Sequence, residues 1–210
     1  MKERLTGLYV ITDEELLPGR THVEIARAAL AGGAQIVQLR DKHADDRAFY
    51  EAALAIRKLT SDAGALFFVN DRVHIAAAVG ADGVNVGQTD MPVPAVRAVL
   101  GPKAIIGLSC DTLEQALAAQ GLGADYVGFG PVFATSTKLD AGPISGLITL
   151  REVCRRVELP VVAIGGISAA NITEVAAAGA ASAAVVSAVV CAQNMTTATI
   201  DLIRRFGSKT

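Results

Sequence analysis

The sequence predicts an α/β fold with one domain, a (β/α)8 barrel that spans residues 1–210. Two observations predict this fold. Eight short apolar segments alternate with helix-like segments, and the dipeptide Gly-Ala recurs between them. Short apolar runs without polar alternation are typical of parallel strands that helices cover. Eight strand–helix units in a chain of this length indicate a small closed barrel of the TIM type.

The Gly-Ala dipeptides mark the passage from helix to strand. They begin at Gly33, Gly64, Gly80, Gly123 and Gly179, and an apolar run follows each within a residue or two. Glycine commonly ends a helix in the left-handed conformation, after which the chain can enter a strand. We therefore predict eight strands, at Leu8–Thr12, Ile36–Arg40, Leu66–Asn70, Gly83–Gly87, Ile105–Ser109, Tyr126–Gly130, Val161–Gly165 and Ala184–Ser187.

Helical patterns fill the segments between these strands. One apolar face is formed by Phe49, Ala52, Ala53, Ile56 and Leu59. This spacing follows the helical period. Helix starts are predicted at a capping box of Asp111 with Glu114 and at Ser168, because such side chains bind the free N–H groups of a first turn.

An open doubly wound sheet is the alternative fold. Such a sheet usually has fewer strands and begins with a glycine-rich phosphate turn after its first strand. Here the first strand runs into Thr12–Glu15, which contains no glycine. This difference favours the closed barrel.

Composition excludes several classes of function. The chain is 51% hydrophobic and 19% charged, with a net charge of −2, and only 4% of its residues are aromatic. This balance gives no reason to expect nucleic acid or an anionic membrane as a partner. No apolar run is long enough for a membrane span, and the N-terminus lacks the apolar segment of a signal peptide. We therefore expect a cytoplasmic protein, with Cys110, Cys154 and Cys191 as free thiols.

The end of the second strand is the first candidate site. Side chains alternate faces along a strand, so Gln38, Arg40 and Lys42 share one face if the strand continues. An amide, a guanidinium and an ammonium at one strand end suit a highly charged anion such as a diphosphate. The alternative is a solvated, charged turn.

Two carboxylates end the next two strands. Asp71 follows the third strand and Asp90 follows the fourth. Neighbouring strands lie about 4.8 Å apart, and Mg²⁺ often binds one or two carboxylates together with waters and phosphate oxygens. Each residue alone is explained as well by a helix cap. Together, and beside Arg40 and Lys42, they favour a metal site.

Glycine-rich and long connections supply a second candidate region. Gly165-Gly166 follows the seventh strand and Ser187 follows the eighth, where barrels of this type often bind phosphate through backbone N–H groups. A plain tight turn is the alternative for the glycines. The loop Pro131–Ser145 is the longest strand–helix connection and carries Thr135, Thr137 and Lys138. Long loops are often functional lids, and a mobile surface loop is the alternative.

The strand-end motifs together resemble those of the thiamine phosphate synthase family, and the resemblance covers nearly the whole chain. The motifs are Gln38-Leu-Arg-Asp-Lys42, Phe68-Val-Asn-Asp71, Ala81-Asp-Gly83, Gly87-Gln-Thr-Asp90, Gly107-Leu-Ser109, the run from Gly128 to Lys138, and Ala163-Ile-Gly-Gly-Ile167. The resemblance implies a cytoplasmic enzyme of thiamine biosynthesis. It would couple hydroxymethylpyrimidine diphosphate with a thiazole phosphate, or its carboxylate, and release diphosphate with the help of Mg²⁺.

The resemblance also implies a role for each matching residue. Asp71 and Asp90 would bind Mg²⁺, and Arg40, Lys42 and Lys138 would act catalytically on the departing diphosphate. The pyrimidine diphosphate would be held by Gln38, Leu39, Arg40, Asp41, Lys42, Asn70, Ser109 and Lys138. The thiazole phosphate would be held by Thr135, Ser136, Thr137, Gly166, Val186 and Ser187.

One residue departs from the family pattern, and two other functions compete. Asn85 stands where the family usually has histidine. Thiazole tautomerases share the fold but do not need the diphosphate and metal residues, all of which are found in this sequence. A paralogue that binds thiamine phosphates as a sensor is the non-enzymatic alternative. The two small substrates are the expected partners; a homo-oligomer is compatible with the sequence, which does not give the oligomeric state.

Overall fold

The computed structural model describes residues 5–135, 137 and 142–207. It confirms the (β/α)8 barrel: eight parallel strands pair in chain order, and β8 pairs with β1 to close the sheet. The strands are β1 Gly7–Thr12, β2 Ile36–Leu39, β3 Leu66–Asn70, β4 Gly83–Val86, β5 Ile105–Cys110, β6 Tyr126–Phe129, β7 Val161–Ala163 and β8 Ser182–Val185.

Helices surround the sheet and cover its outer face. In the described part of the chain they are α1 His22–Ala31, α2 Asp46–Ala63, α3 Val73–Val79, α4 Val93–Leu100, α5 Leu113–Gly121, α6 Gly146–Arg156, α7 Ile172–Ala177, α8 Ser187–Val190 and α9 Met195–Gly207. The predicted apolar face of α2 packs inward, with Phe49, Ala53 and Ile56 buried. None of the described helices is both long and apolar enough to cross a membrane.

The Gly-Ala dipeptides lie where the sequence predicts them. Their glycines, Gly33, Gly64, Gly80, Gly123 and Gly179, all have left-handed φ angles between 61° and 98°. A side chain at these φ angles is strained. Glycine therefore ends each preceding helix and turns the chain toward the base of the next strand.

A polar residue follows the Gly-Ala dipeptide directly before β2, β4 and β6, and its side chain connects neighbouring strands at the base of the barrel. We call Gln35, Asp82 and Asp125 the base acceptors. Each accepts a hydrogen bond from a backbone N–H of the preceding strand. The pairs are Gln35 Oε1 with Leu8 N at 2.8 Å, Asp82 Oδ2 with Phe67 N at 2.8 Å, and Asp125 Oδ2 with Ile106 N at 2.9 Å. The two charged acceptors also form ion pairs with arginines of the outer helices, Arg57 and Arg97. The side chains at the base of the barrel therefore stabilise the fold, and the functional site is expected at the opposite end, where the strands finish.

Several predicted strand bounds differ from those of the structure by one or two residues. Three further differences concern the starts of helices. Strand β8 ends at Val185, so Ser187 begins the short helix α8 instead of ending a strand. The capping box of α5 is Thr112 with Gln115, one residue beyond the predicted pair Asp111 and Glu114. Helix α7 begins at Ile172 with Asn171, instead of Ser168, at its N-cap position, because residues 168–171 first form a turn closed by the Ser168 carbonyl.

The interior of the barrel holds an aromatic cluster beneath the site. The rings of Tyr9, Phe68 and Tyr126 lie 5.6–6.4 Å apart between centroids. Two glycines on the neighbouring strands make room for them. A Cβ on Gly83 would lie 2.6 Å from the Phe68 ring, and a Cβ on Gly107 would lie 2.1 Å from the Tyr126 ring. The cluster is therefore possible only because β4 and β5 carry glycine at this level.

Candidate active site

A cavity of about 400 Å³ opens at the carboxyl ends of the strands. This is the end at which (β/α)8 barrels carry their catalytic groups. Twelve of the residues predicted for the site line it: Gln38, Arg40, Lys42, Asn70, Asp71, Asp90, Ser109, Thr135, Thr137, Gly166, Val186 and Ser187. The volume is in the range typical of pockets for small ligands.

Residues at the end of β2 alternate between the cavity side and the outer side of the sheet. Gln38, Arg40 and Lys42 line the cavity, as the strand alternation predicts. Leu39 is fully buried in the core outside the sheet, and the Asp41 carboxylate accepts hydrogen bonds from the N–H groups of the following turn. Alternation therefore turns the Leu39 and Asp41 side chains away from the cavity, and substrate binding by these two residues stays a prediction.

Asp41 has a structural role behind the site. Burial opposes its ionisation, but N–H donors from Ala44 and His43 and the nearby His22 outweigh that effect, so the pKa of Asp41 lies below its ordinary value. His22 bridges Asp41 to Thr12, with Nε2 3.1 Å from Asp41 Oδ2 and Nδ1 2.8 Å from Thr12 Oγ1. Thr12 is fully buried and lies outside the cavity lining. These three residues therefore join β1, α1 and the turn after β2, and they are not placed to act on a substrate.

Arg40 has a carboxylate partner that the sequence argument missed. Asp13, directly after β1, is 7% exposed, and its Oδ2 lies 3.5 Å from Arg40 Nη1. The other oxygen, Oδ1, accepts hydrogen bonds from the N–H groups of Glu15 and Leu16 at 2.9 and 3.1 Å. Asp13 is thus held by its own turn and in turn orients the guanidinium at the cavity wall.

Asp71 and Asp90 come together at the ends of β3 and β4. Asp71 accepts a hydrogen bond from Asn70 Nδ2 at 2.7 Å and contacts the Lys42 ammonium. Burial raises the pKa of Asp71 and the Asp90 carboxylate raises it further, while Lys42 opposes the rise. Asp90 Oδ2 accepts a hydrogen bond from Gly87 N at 2.7 Å. Two carboxylates this close favour a bound cation, since a cation relieves their mutual repulsion.

The donor set fits Mg²⁺. The part of the chain that the structure describes has no cluster of three or more Asp, Glu, His or Cys placed to hold a metal. Mg²⁺ does not require such a cluster, because it commonly takes one or two carboxylates and completes its shell with waters and substrate phosphate oxygens. The Lys42 ammonium, which contacts Asp71, shows that positive charge is favoured at this position.

The helix-cap explanation for these carboxylates is wrong. Helix α3 is preceded by Arg72 and helix α4 by Pro92, and neither helix has a side-chain cap. Asp71 instead has a left-handed φ of 56°, the single such value among the described non-glycine residues. Backbone strain of this kind concentrates at functional sites. The left-handed backbone directs the Asp71 side chain toward the cavity, and the Asp71 N–H donates to the Asn85 carbonyl at 3.0 Å.

The floor of the cavity is a row of hydrogen-bonded side chains. Gln38 Nε2 donates to Tyr9 OH at 2.7 Å, and the hydroxyls of Tyr9 and Tyr126 lie 3.2 Å apart. Tyr126 OH donates to Asn85 Oδ1 at 3.0 Å, and Asn85 Nδ2 donates to Ser109 Oγ at 3.0 Å. Burial raises the pKa of both tyrosines well above the ordinary value, so both remain protonated hydroxyls.

The loop after β6 borders the opposite side of the cavity. It begins with a cis peptide bond between Gly130 and Pro131, and Thr135 and Thr137 line the cavity. Ser136 and Lys138, predicted for the two substrates, lie outside the described residues. A Cβ on Gly166 would lie 2.4 Å from the Ala134 carbonyl oxygen of this loop. Gly166 is therefore required for packing of the β6 loop, a reason that the sequence argument did not identify.

The ends of β7 and β8 complete the lining. Gly165 and Gly166 both have left-handed φ angles, of 98° and 64°. Val186 precedes the short helix α8, and Ser187 is its first residue. A short extra helix after the eighth strand is common at the phosphate site of such barrels. The structure therefore brings the predicted thiazole phosphate residues that it describes to one arc of the mouth.

The thiols and histidines do not form a nucleophilic site. Cys110 is buried, and burial raises its pKa to about 12. Cys154 is partly buried with its pKa raised by burial to about 11, and Cys191 is exposed. His43 and His74 lie at the surface, where each contacts one carboxylate. All three cysteines are free thiols, as predicted.

Asp13, Tyr9 and Tyr126 line the cavity, yet the sequence argument did not select them. Asp13 follows the first strand, so the rule that selected Asp71 and Asp90 also applies to it. The two tyrosines lie inside strands that otherwise have the apolar pattern of a core. Only two glycines, Gly107 opposite Tyr126 and Gly83 opposite Phe68, gave a signal that large side chains fill the interior.

Comparison with known proteins gives a consistent family. The sequence model described as "Thiamine monophosphate synthase" matches residues 8–189. The chain is 53% identical to the thiamine-phosphate synthase of Methanocella arvoryzae, over 93% of this chain and 92% of that protein. It is 51% identical to that of Methanoculleus marisnigri, over 96% and 95% of the two chains. The structure superimposes on a thiamine phosphate pyrophosphorylase from Pyrococcus furiosus with a TM-score of 0.89 and 44% identity, covering 97% of this chain and 96% of that one. The chain therefore belongs to the thiamine monophosphate synthase family of enzymes.

Proposed function

We propose that the protein couples hydroxymethylpyrimidine diphosphate with a thiazole phosphate, or its carboxylate, to form thiamine phosphate and diphosphate, with CO2 as a third product when the carboxylate is the substrate. One observation carries the proposal: a single cavity is bordered on one side by Arg40, Lys42 and the pair Asp71 and Asp90, and on the other by the glycine and hydroxyl residues of β6–β8. The first border suits a diphosphate with a metal ion. The second suits a monophosphate bound largely by backbone N–H groups.

The reaction would need no protein nucleophile. The bond between the pyrimidine methylene carbon and the diphosphate oxygen breaks, and the oxygen keeps the electron pair. The resulting methylene cation is captured by the lone pair of the thiazole nitrogen, so the positive charge ends on the thiazolium ring. Arg40 and Lys42 stabilise the charge that grows on the departing diphosphate. The cavity holds carbon and nitrogen near each other, which lowers the entropic part of the barrier.

Asp71 and Asp90 are the residues that would hold Mg²⁺, with Asn70 supporting Asp71 through its hydrogen bond. The ion would supply positive charge to the diphosphate oxygens as they leave. Lys138 of the β6 loop would add a further positive charge, by the resemblance to the family. The predicted cytoplasmic location and a homo-oligomeric state stay predictions.

The direct test is incubation of the purified protein with both phosphorylated substrates and Mg²⁺. We expect thiamine phosphate and diphosphate to appear in equal amounts, and neither to appear when the thiazole phosphate is omitted. Tight binding of both compounds without product would support a sensor. Rearrangement of the thiazole carboxylate phosphate without coupling would support a tautomerase. Either result would contradict the proposed synthase.

A further inference from the structure

The hydrogen bonds on the cavity floor have one direction. The row runs from Gln38 through Tyr9, Tyr126 and Asn85 to Ser109, with donor–acceptor distances from 2.7 to 3.2 Å. All five side chains line the cavity. The row crosses the barrel from β2 through β1, β6 and β4 to β5, so it connects strands far apart in sequence.

The orientation of the Gln38 and Asn85 amides in the structure, together with valence, sets the proton of each member of the row. Asn85 Oδ1 can only accept, so the Tyr126 proton is committed to it. Tyr126 must then accept from Tyr9, and Tyr9 accepts from Gln38 Nε2. At the other end, Ser109 Oγ accepts from Asn85 Nδ2. The Ser109 proton has no acceptor among the described side chains and backbone groups, so it is free to point into the cavity.

We propose that Tyr126 and Asn85 are positioning residues that hold Ser109 as a hydrogen-bond donor to a ring nitrogen of the pyrimidine substrate. This inference rests on the proposed function. An aminopyrimidine ring carries nitrogen acceptors in its plane, and a hydroxyl that already accepts one bond is preorganised to donate the other. Tyr126 acts at a distance of two hydrogen bonds, through Asn85.

The same reasoning explains why asparagine can stand where the family usually has histidine. A neutral imidazole has one acceptor nitrogen and one donor nitrogen, and an amide offers the same pair. Either can accept from Tyr126 and donate to Ser109. A carboxylate has acceptors only, so Asn85→Asp would make Ser109 donate to residue 85 and turn its proton away from the cavity. Asn85→His keeps the direction of the row, and Asn85→Asp reverses its last bond.

Calorimetric titration with hydroxymethylpyrimidine diphosphate and Mg²⁺, without the thiazole phosphate, tests this in the absence of turnover. We expect Ser109→Ala and Asn85→Asp each to weaken binding about tenfold, and Asn85→His to stay within about threefold of the unsubstituted protein. The double variant of Ser109→Ala with Asn85→Asp should bind no more weakly than Ser109→Ala alone, because both changes remove the same donor. Affinity for the thiazole phosphate should be unaffected in all variants.

Tyr126→Phe provides the same test without any change of charge. It preserves the ring and removes the hydroxyl, and with it both the proton given to Asn85 and the acceptor for Tyr9. We expect it to weaken pyrimidine diphosphate binding in the unsubstituted background and to have no effect in the background of Ser109→Ala. If the Tyr126→Phe loss persists in full in that background, or if the losses caused by Asn85→Asp and Ser109→Ala add in the double variant, the proposal is overturned. Failure of the proposed function would look different, since the unsubstituted protein itself would not bind the pyrimidine diphosphate.

Discussion

Asp13 Oδ2 lies 3.5 Å from Arg40 Nη1, at the point where β1 and β2 end side by side. The carboxylate is only 9% exposed as a side chain and the guanidinium 22%, so the pair is largely shielded from solvent. Asp13 is also tied to its own turn through the N–H groups of Glu15 and Leu16. Arg40 therefore has a fixed support on one side and the cavity on the other.

Arg40→Ala should weaken binding of the pyrimidine diphosphate by about 2 kcal/mol or more. The change removes a donor to the anion and leaves the Asp13 carboxylate without its partner, facing that anion. Titration of the pyrimidine diphosphate measures the loss. Adding Asp13→Asn to Arg40→Ala should recover part of it, because the uncompensated charge is then gone. If the double variant binds more weakly than Arg40→Ala alone, Asp13 does not act through Arg40.

Removal of the metal should abolish activity, because Asp71 and Asp90 then present uncompensated negative charge to the leaving diphosphate. Asp71→Asn is the informative variant. Asparagine tolerates the left-handed φ of 56° and keeps the size of the side chain, whereas alanine at this φ adds strain. We expect Asp71→Asn to retain its thermal midpoint and to lose turnover by orders of magnitude. Full coupling activity in excess EDTA would falsify the metal assignment.

Lys138→Ala should lower turnover more than substrate affinity, because its charge is needed most as the diphosphate separates in the transition state. Steady-state kinetics with both substrates separates the two effects. Lys103→Ala is the matched control, since Lys103 is exposed in the segment before β5, at the opposite end of the barrel. A rise in KM alone would show that Lys138 binds the substrate and the transition state equally.

The two phosphate regions should be separable by mutation, since β7 and β8 lie across the mouth from β3 and β4. Ser187→Asp places a carboxylate beside the proposed monophosphate, so we expect thiazole phosphate affinity to fall at least tenfold, or about 1.4 kcal/mol, by like-charge repulsion. Pyrimidine diphosphate affinity should change little. Arg40→Ala should show the reverse pattern. Equal losses for both substrates with Ser187→Asp would contradict the two-arc assignment.

Gly166 is a poor probe of phosphate binding, although its position after the seventh strand suggests that it binds phosphate. A Cβ there would meet the Ala134 carbonyl and Phe133 of the β6 loop, and φ is left-handed. We therefore expect Gly166→Val to disturb that loop and to lower the thermal midpoint, which circular dichroism measures. Any loss of phosphate affinity in this variant would accompany a loss of structure.

The sequence predicted the fold and twelve of the residues that line the cavity, because strand ends carry a local signal. Arg40, Lys42, Asp71 and Asp90 each follow an apolar run, and parallel strands bring such ends together. The floor was not predicted, because Tyr9 and Tyr126 have the sequence pattern of core residues. Their polar role depends on hydroxyls that meet across the barrel, 117 residues apart in the chain.

Ambiguities arose where one sequence pattern fits two different structural roles. Asp71 and Asp90 matched both a cap and a metal ligand, and only the backbone shows that neither caps a helix. The family motif includes Leu39 and Asp41, although neither residue lines the cavity. Alternation alone would have placed these two side chains on the far face.

The base acceptors should make some pairs of neighbouring strands harder to separate than others. Gln35, Asp82 and Asp125 bind β1 to β2, β3 to β4 and β5 to β6. In the fourth pair the equivalent residue is Ala181, which has no side-chain acceptor. Only its backbone forms hydrogen bonds, with the N–H donating to the Val161 carbonyl at 2.9 Å and the carbonyl accepting from Gly7 N at 3.1 Å. In native-state hydrogen exchange, amides of β7 and β8 should therefore exchange earlier than those of the other strands. Two of the loops proposed to hold the thiazole phosphate, those after β7 and β8, extend from this pair of strands. We therefore expect that ligand to slow exchange in β7 and β8 more than in the other strands.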